Sequence, residues 1–148
     1  MEPEGPDIVV TANGRRLLAV EVKVVGDVAA ASRAMSSYMA RLPYPAGMVL
    51  VGRDLVVLRR DFGAGTIETV GRFTTAGVDG LELPPSGPSA AALYAARAQR
   101  WLVSLRDPFV MYQLPDPLRR AVADWIVPAV EVGDVRATGP RPPFARVG

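Results

Sequence analysis

The chain has 148 residues, 49% of them apolar and 22% charged, with 17 basic against 15 acidic side chains and neither cysteine nor histidine. That length holds one compact domain with a substantial core, and the two missing residue types exclude disulfide frameworks, thiolate or imidazole metal sites, cysteine nucleophiles and the Ser-His-Asp triad. Hydrolytic chemistry is left to carboxylates, lysine, tyrosine, serine or a hard cation held by oxygen ligands, with magnesium or manganese the fitting ions. A net charge of +2 is too mild to diagnose a nucleic-acid partner, although the arginine-rich balance is compatible with one. Met1-Glu2-Pro3-Glu4 lacks the basic-then-apolar pattern of a leader, and no apolar run reaches the roughly 18 residues of a membrane span. A cytoplasmic protein with no membrane partner is expected.

Residues 7–12 and 17–24 are β-branched runs separated by Asn13-Gly14, a strong hairpin signal. Gly26-Asp27 offers a helix N-cap, after which Val28, Ala31, Met35, Tyr38 or Met39, and Leu42 recur at helical spacing until Pro43 and Pro45. Short strands are expected over 48–51, 55–58 and 66–73, the first two joined by the turn at Gly52-Arg53-Asp54. Composition then changes at Leu83-Pro84-Pro85-Ser86-Gly87-Pro88, a linker or rigid turn. Beyond it, residues 89–106 read as a long alanine-rich helix and 117–126 as a shorter one, begun at Asp116-Pro117. The expected organisation is an α/β core over 1–82, a helical segment over 83–133 packing on it, and a Pro/Arg-rich tail over 134–148, extended or disordered.

Three side chains in the hairpin bear on chemistry: Asp7, Glu21 and Lys23. A two-residue Asn13-Gly14 loop pairs Ala12 with Arg15 and Asp7 with Val20, putting Asp7 on the face opposite Glu21 and Lys23. A three-residue loop, Ala12-Asn13-Gly14 with a bulge at Gly14, pairs Thr11 with Arg15 and Asp7 with Ala19 and gathers all three on one face. The other face is then Ile8, Val10, Leu18, Val20, Val22 and Val24, an unbroken apolar surface, so the three-residue loop is the expected one. Two carboxylates and an ammonium on one strand face can hold a divalent cation with the lysine beside the reacting group, the equipment for metal-dependent phosphodiester hydrolysis.

Pro6-Asp7 followed by Glu21-Val22-Lys23 resembles the signature of the PD-(D/E)xK nuclease superfamily. The stretch from Gly5 through Asn13-Gly14 to Lys23 is similar to the nuclease domains of type I restriction subunits and of archaeal Holliday-junction resolvases. The resemblance spans roughly residues 4–62. It implies a restriction-endonuclease-like mixed sheet, made of a β-hairpin, a crossover helix and further strands, with C-terminal helices added. It implies that Asp7 and Glu21 ligate Mg2+, with Mn2+ able to substitute, that the Val22 carbonyl completes the ligand set, and that Asp7, Glu21 and Lys23 are catalytic on DNA. The chain departs from the family in three places. Only six residues precede Asp7, so the acidic helix many relatives carry there is absent; Glu2, Glu4 or the helix at 89–106 could stand in for it, the last supplying packing without an acid. Ala34 stands where relatives place a glutamine four residues before the tyrosine, here Tyr38. The segment after about residue 75 lies outside the resemblance.

On the crossover helix, Arg33, Tyr38 and Arg41 are candidate nucleic-acid contacts, with ordinary helix packing as the other reading of Tyr38. The alternative to a nuclease is a catalytically inactive nuclease-like module that binds nucleic acid or protein. A positive mean hydropathy in so small a chain points to apolar surface covered by a homodimer partner. Of the 17 basic residues, sixteen are arginine and one, Lys23, is lysine. A compact ammonium suits the approach to a metal-bound nucleophile better than a planar guanidinium does.

Overall fold

The computed structural model describes residues 5–138. Its elements run β1 (Ile8–Ala12), β2 (Arg15–Lys23), α1 (Val28–Arg41), β3 (Ala46–Val51), β4 (Asp54–Asp61), β5 (Thr66–Thr74), α2 (Ala90–Ser104), α3 (Pro108–Tyr112), α4 (Asp116–Trp125), α5 (Val127–Val132) and β6 (Asp134–Ala137). The strands form one six-stranded mixed sheet in the order β5-β4-β3-β2-β1-β6. β2 and β3, joined through α1, are parallel, and the other neighbouring pairs are antiparallel. All six residues of β3 are buried, as a strand covered on both faces requires. No described helix is long and apolar enough to cross a membrane.

α1 covers one face of the sheet. Asp27 caps it by accepting the Ala29 N–H at 3.0 Å, and Val28, Ala31, Met35 and Met39 form the buried stripe. Leu42 is extended because it precedes Pro43, which stops the helix. Arg60 of β4 donates to the carbonyls of Met39, Leu42 and Tyr44, satisfying the last turn and tying it to the sheet. On the other face α2, α4 and α5 pack against Ile8, Val10, Leu18, Val20, Met48, Leu50, Leu55 and Val57. The long helix expected at 89–106 therefore lies on the face opposite α1, where Tyr94 and Leu102 are fully buried, and it carries no acid.

The hairpin differs from expectation in an informative way. Asn13 (φ 53°) and Gly14 (φ 78°) form a two-residue turn with both residues left-handed, and Ala12 pairs with Arg15. The three-residue loop is therefore incorrect. The register shifts instead between Val10 and Thr11: Thr11 faces Arg16 but Val10 faces Leu18, so Leu17 is an extra residue in β2. Leu17 and Leu18 both turn toward the α2 side, Leu17 lying beside Val10 and Gly133. From there Val9 pairs with Ala19 and Ile8 with Val20, and Glu21 and Lys23 stay out of that core. The turn puts the charged residues on the wrong face, and the bulge returns them.

The expected tail is corrected as well. Residues 134–137 form β6 and pair antiparallel with β1, Ile8 facing Ala137 and Val9 facing Arg136. Arg106 fixes the start of this strand by donating to the carbonyls of Val130 and Gly133, at 2.8 and 3.0 Å. Residues 139–148 of that expectation lie outside the described part. Deleting Leu17 closes the bulge and leaves the pairings of Val10 with Leu18, Val9 with Ala19 and Ile8 with Val20 as they are, so Glu21 and Lys23 keep their face. The deletion variant should keep a cooperative thermal transition by circular dichroism. Loss of that transition would contradict the reading of Leu17 as a surplus residue.

Candidate active site

Asp7 sits in a bend just before β1. Its N–H donates to the Val20 carbonyl at 2.8 Å, while its own carbonyl accepts the Thr138 N–H at 2.8 Å on the β6 side. In a regular strand both groups point to the same neighbour, so the backbone is turned here. The Thr138 hydroxyl donates to the Pro6 carbonyl and fastens the same turn from outside. Asp7 Oδ2 then accepts the Val22 N–H at 2.8 Å, a charge-assisted bond of the kind that contributes about 1.5–3 kcal/mol. The bond consumes one carboxylate oxygen and holds the group beside β2. The Val22 carbonyl follows its N–H toward β1, whereas the next carbonyl, of Lys23, is turned the other way and accepts the Gly52 N–H at 2.9 Å.

Glu21 and Lys23 stand two residues apart on the same strand face. Lys23 Nζ lies 3.3 Å from Glu21 Oε2, with the glutamate side chain 22% exposed and the lysine 48%. An ion pair this open contributes about 0–1 kcal/mol, so stability does not explain it. The lysine stem runs past Gly26, whose φ of +150° suits glycine and where an added Cβ would meet Lys23 Cδ at 3.5 Å.

Both carboxyl groups have raised pKa values. For Asp7 burial dominates, opposed by the Val22 N–H and by the Lys23 charge. For Glu21 burial is again the largest cause, the Asp7 charge pushes in the same direction, and Lys23 opposes both. Among the described residues two half-buried carboxylates thus face one ammonium, an excess of negative charge. Among the described residues no group of three or more acidic side chains gathers to hold a metal ion. The available oxygen donors are those of Asp7 and Glu21 together with the Val22 carbonyl, a set suited to a hard cation that keeps several of its waters.

Of the other candidates, Arg33 and Arg41 are exposed on α1 and Tyr38 is half-buried. Tyr38 stacks on Tyr44 with ring centroids 5.7 Å apart, and Arg41 lies over Tyr38 at 5.8 Å. Packing is therefore one role of Tyr38, and no hydrogen bond or ion pair joins these three residues to Asp7, Glu21 or Lys23 among the described residues. Thr138 and the strand that precedes it were not expected. The alternation of Asp134, Val135, Arg136 and Ala137 after Gly133 was the available signal, but four residues are too few to outweigh the surrounding prolines and glycines.

Comparison with protein-family models, with curated proteins and with solved structures finds no match to this chain.

Neutralising Glu21 removes repulsion that burial makes costly. Because its folded-state pKa is raised, its stabilising contribution is complete below the ordinary value of 4.5 and is lost as pH rises through the folded value. At pH 7 in EDTA, Glu21→Gln should melt above the parent protein, and the gap should close as the pH is lowered below about 4.5. A variant that melts lower at pH 7 would show that the ion pair with Lys23 outweighs the burial.

Proposed function

We propose that the chain is a metal-dependent nuclease of the PD-(D/E)xK type, acting on DNA. The observation that carries this reading is the convergence of Asp7, Glu21 and Lys23 beside the Val22 backbone, with both carboxyl groups raised in pKa and one ammonium between them among the described residues. The mixed sheet supports the restriction-endonuclease-like reading of the fold, since hairpin, crossover helix and parallel strand follow in the order that the resemblance implies. α2 packs on the face opposite α1 and carries no acidic residue.

The residues divide the work by their chemistry. Asp7 and Glu21, with the Val22 carbonyl, would hold Mg2+ or Mn2+. Such an ion polarises a phosphoryl oxygen and lowers the pKa of water when bound. Asp7 is oriented before any ligand arrives, because the Val22 N–H fixes one of its oxygens. Glu21 keeps the Lys23 ammonium over the carboxylate face at 3.3 Å. Lys23, half exposed at the edge of the site, is placed to meet negative charge developing on a scissile phosphate, which is where a preorganised cation contributes most. A guanidinium is broader and planar, and would not occupy the same space.

A second reading rests on the carboxylate count. With two acids rather than three among the described residues, the same geometry suits a nuclease-like module that binds nucleic acid or a protein partner without cutting. Supercoiled plasmid with Mg2+ or Mn2+ separates the two. The nuclease reading expects nicking that EDTA abolishes and that Asp7→Ala or Lys23→Ala lowers at least about a hundredfold. Both variants should retain the parent circular dichroism spectrum, and Lys23→Arg should recover little of the rate. Undiminished cleavage by purified Lys23→Ala protein, or no metal-dependent cleavage by the parent, would overturn the reading.

A further inference from the structure

Six of the fourteen described arginines are held by acids or backbone carbonyls and eight are not. Arg59, Arg72 and Arg119 are ion-paired with Glu68, Asp54 and Asp116. Arg60, Arg97 and Arg106 are spent on backbone carbonyls, where they tie turns and helix ends to the sheet. Arg16, Arg41 and Arg136 are among the eight, all of them exposed, and are distinguished by their place.

These three lie on one side of the molecule. Arg16 faces Thr11 across the hairpin and Arg136 faces Val9 from β6, so both belong to the sheet face that carries Asp7, Glu21 and α1. Arg136 lies two residues along from Thr138, whose N–H meets the Asp7 carbonyl. Arg41 approaches from α1 and lies over the Tyr38 ring at 5.8 Å. Arg16 is close enough to Tyr44 to act on its phenol, whose pKa burial nevertheless pushes up to about 12, so that the ring stays neutral. Arginines held against neutral tyrosines keep their charge and their outward donors available. Phosphate oxygens are the acceptors that such a row fits, and Asp134, across Thr11 from Arg16, closes the row with a carboxylate.

We propose that Arg136, Arg16 and Arg41 form a phosphate-binding track that leads a DNA backbone away from the Asp7–Glu21 site, between β6 and the C-terminal end of α1. The track deepens the nuclease reading by naming how the substrate is held. It works without metal, because each contact is an arginine on a phosphate and specifies no base.

The test is binding of the full chain to a fluorescein-labelled DNA duplex in EDTA, followed by anisotropy across a range of salt concentrations. Each lost phosphate contact lowers the slope of log K against log salt by about 0.9, so Arg16→Ala/Arg41→Ala/Arg136→Ala should reduce the slope by about three relative to the parent. Arg100→Ala/Arg120→Ala, on helices of the other face, should leave the slope unchanged, and the thermal melts should confirm that both proteins fold. An unchanged slope in the triple variant, an equal loss in the control, or no salt-dependent binding by the parent would overturn the track. The two proposals fail separately. Metal-dependent cleavage with a triple variant that binds like the parent removes the track alone, and arginine-dependent binding without cleavage removes the nuclease alone.

Discussion

A β-strand offers two faces, and each residue added to or removed from a hairpin sends every later side chain to the other one. In this protein the tight turn at Asn13-Gly14 would send Glu21 and Lys23 into the core and leave Asp7 alone outside. The bulge, which leaves Leu17 unpaired in β2, reverses that outcome. It does so at small cost, because the surplus side chain is apolar and finds room beside Val10 and Gly133. Everything proposed for the carboxylate face depends on Leu17 staying out of the ladder, and so does the uninterrupted apolar face from Ile8 to Val22 that α2, α4 and α5 cover.

The second constraint is electrostatic. Asp7 and Glu21 are half-buried near one another and face a single ammonium, so the folded state holds both as anions only against their preference. Six of the described arginines anchor carboxylates or carbonyls elsewhere. The proposed cation and phosphate site draws on the excess charge of the two carboxylates and on the solitary lysine, with Thr138 and Val22 holding Asp7 in place.

Much of this was legible in the residues. The crossover helix is bounded by Asp27 and Pro43 as capping chemistry requires, and β3, β4 and β5 follow the apolar runs and the Gly52 turn. The association of Asp7, Glu21 and Lys23 on one face was also readable, since only that arrangement gives an unbroken core face. The means by which it is reached was not. A bulge one turn away from Gly14 has no residue signature of its own, as Leu17 is as apolar as its neighbours, and loop length alone could not distinguish it from a bulge within the turn. β6 was hidden for a different reason. Four residues with exposed positions become a strand through pairing with β1 and through Arg106 holding their approach, both of them tertiary effects. The helices α3 and α5, of five and six residues, are too short for periodicity to reveal.

The account turns on whether the paired carboxylates bind a cation, and the electron paramagnetic resonance signal of free Mn2+ measures that directly. Titrated into the parent protein, Mn2+ should lose signal to a single site per chain. Asp7→Asn and Glu21→Gln should each abolish that uptake while remaining folded, and Lys23→Ala should preserve it. Equal uptake by the parent and by the Asp7→Asn/Glu21→Gln protein, or none by the parent, would contradict the account.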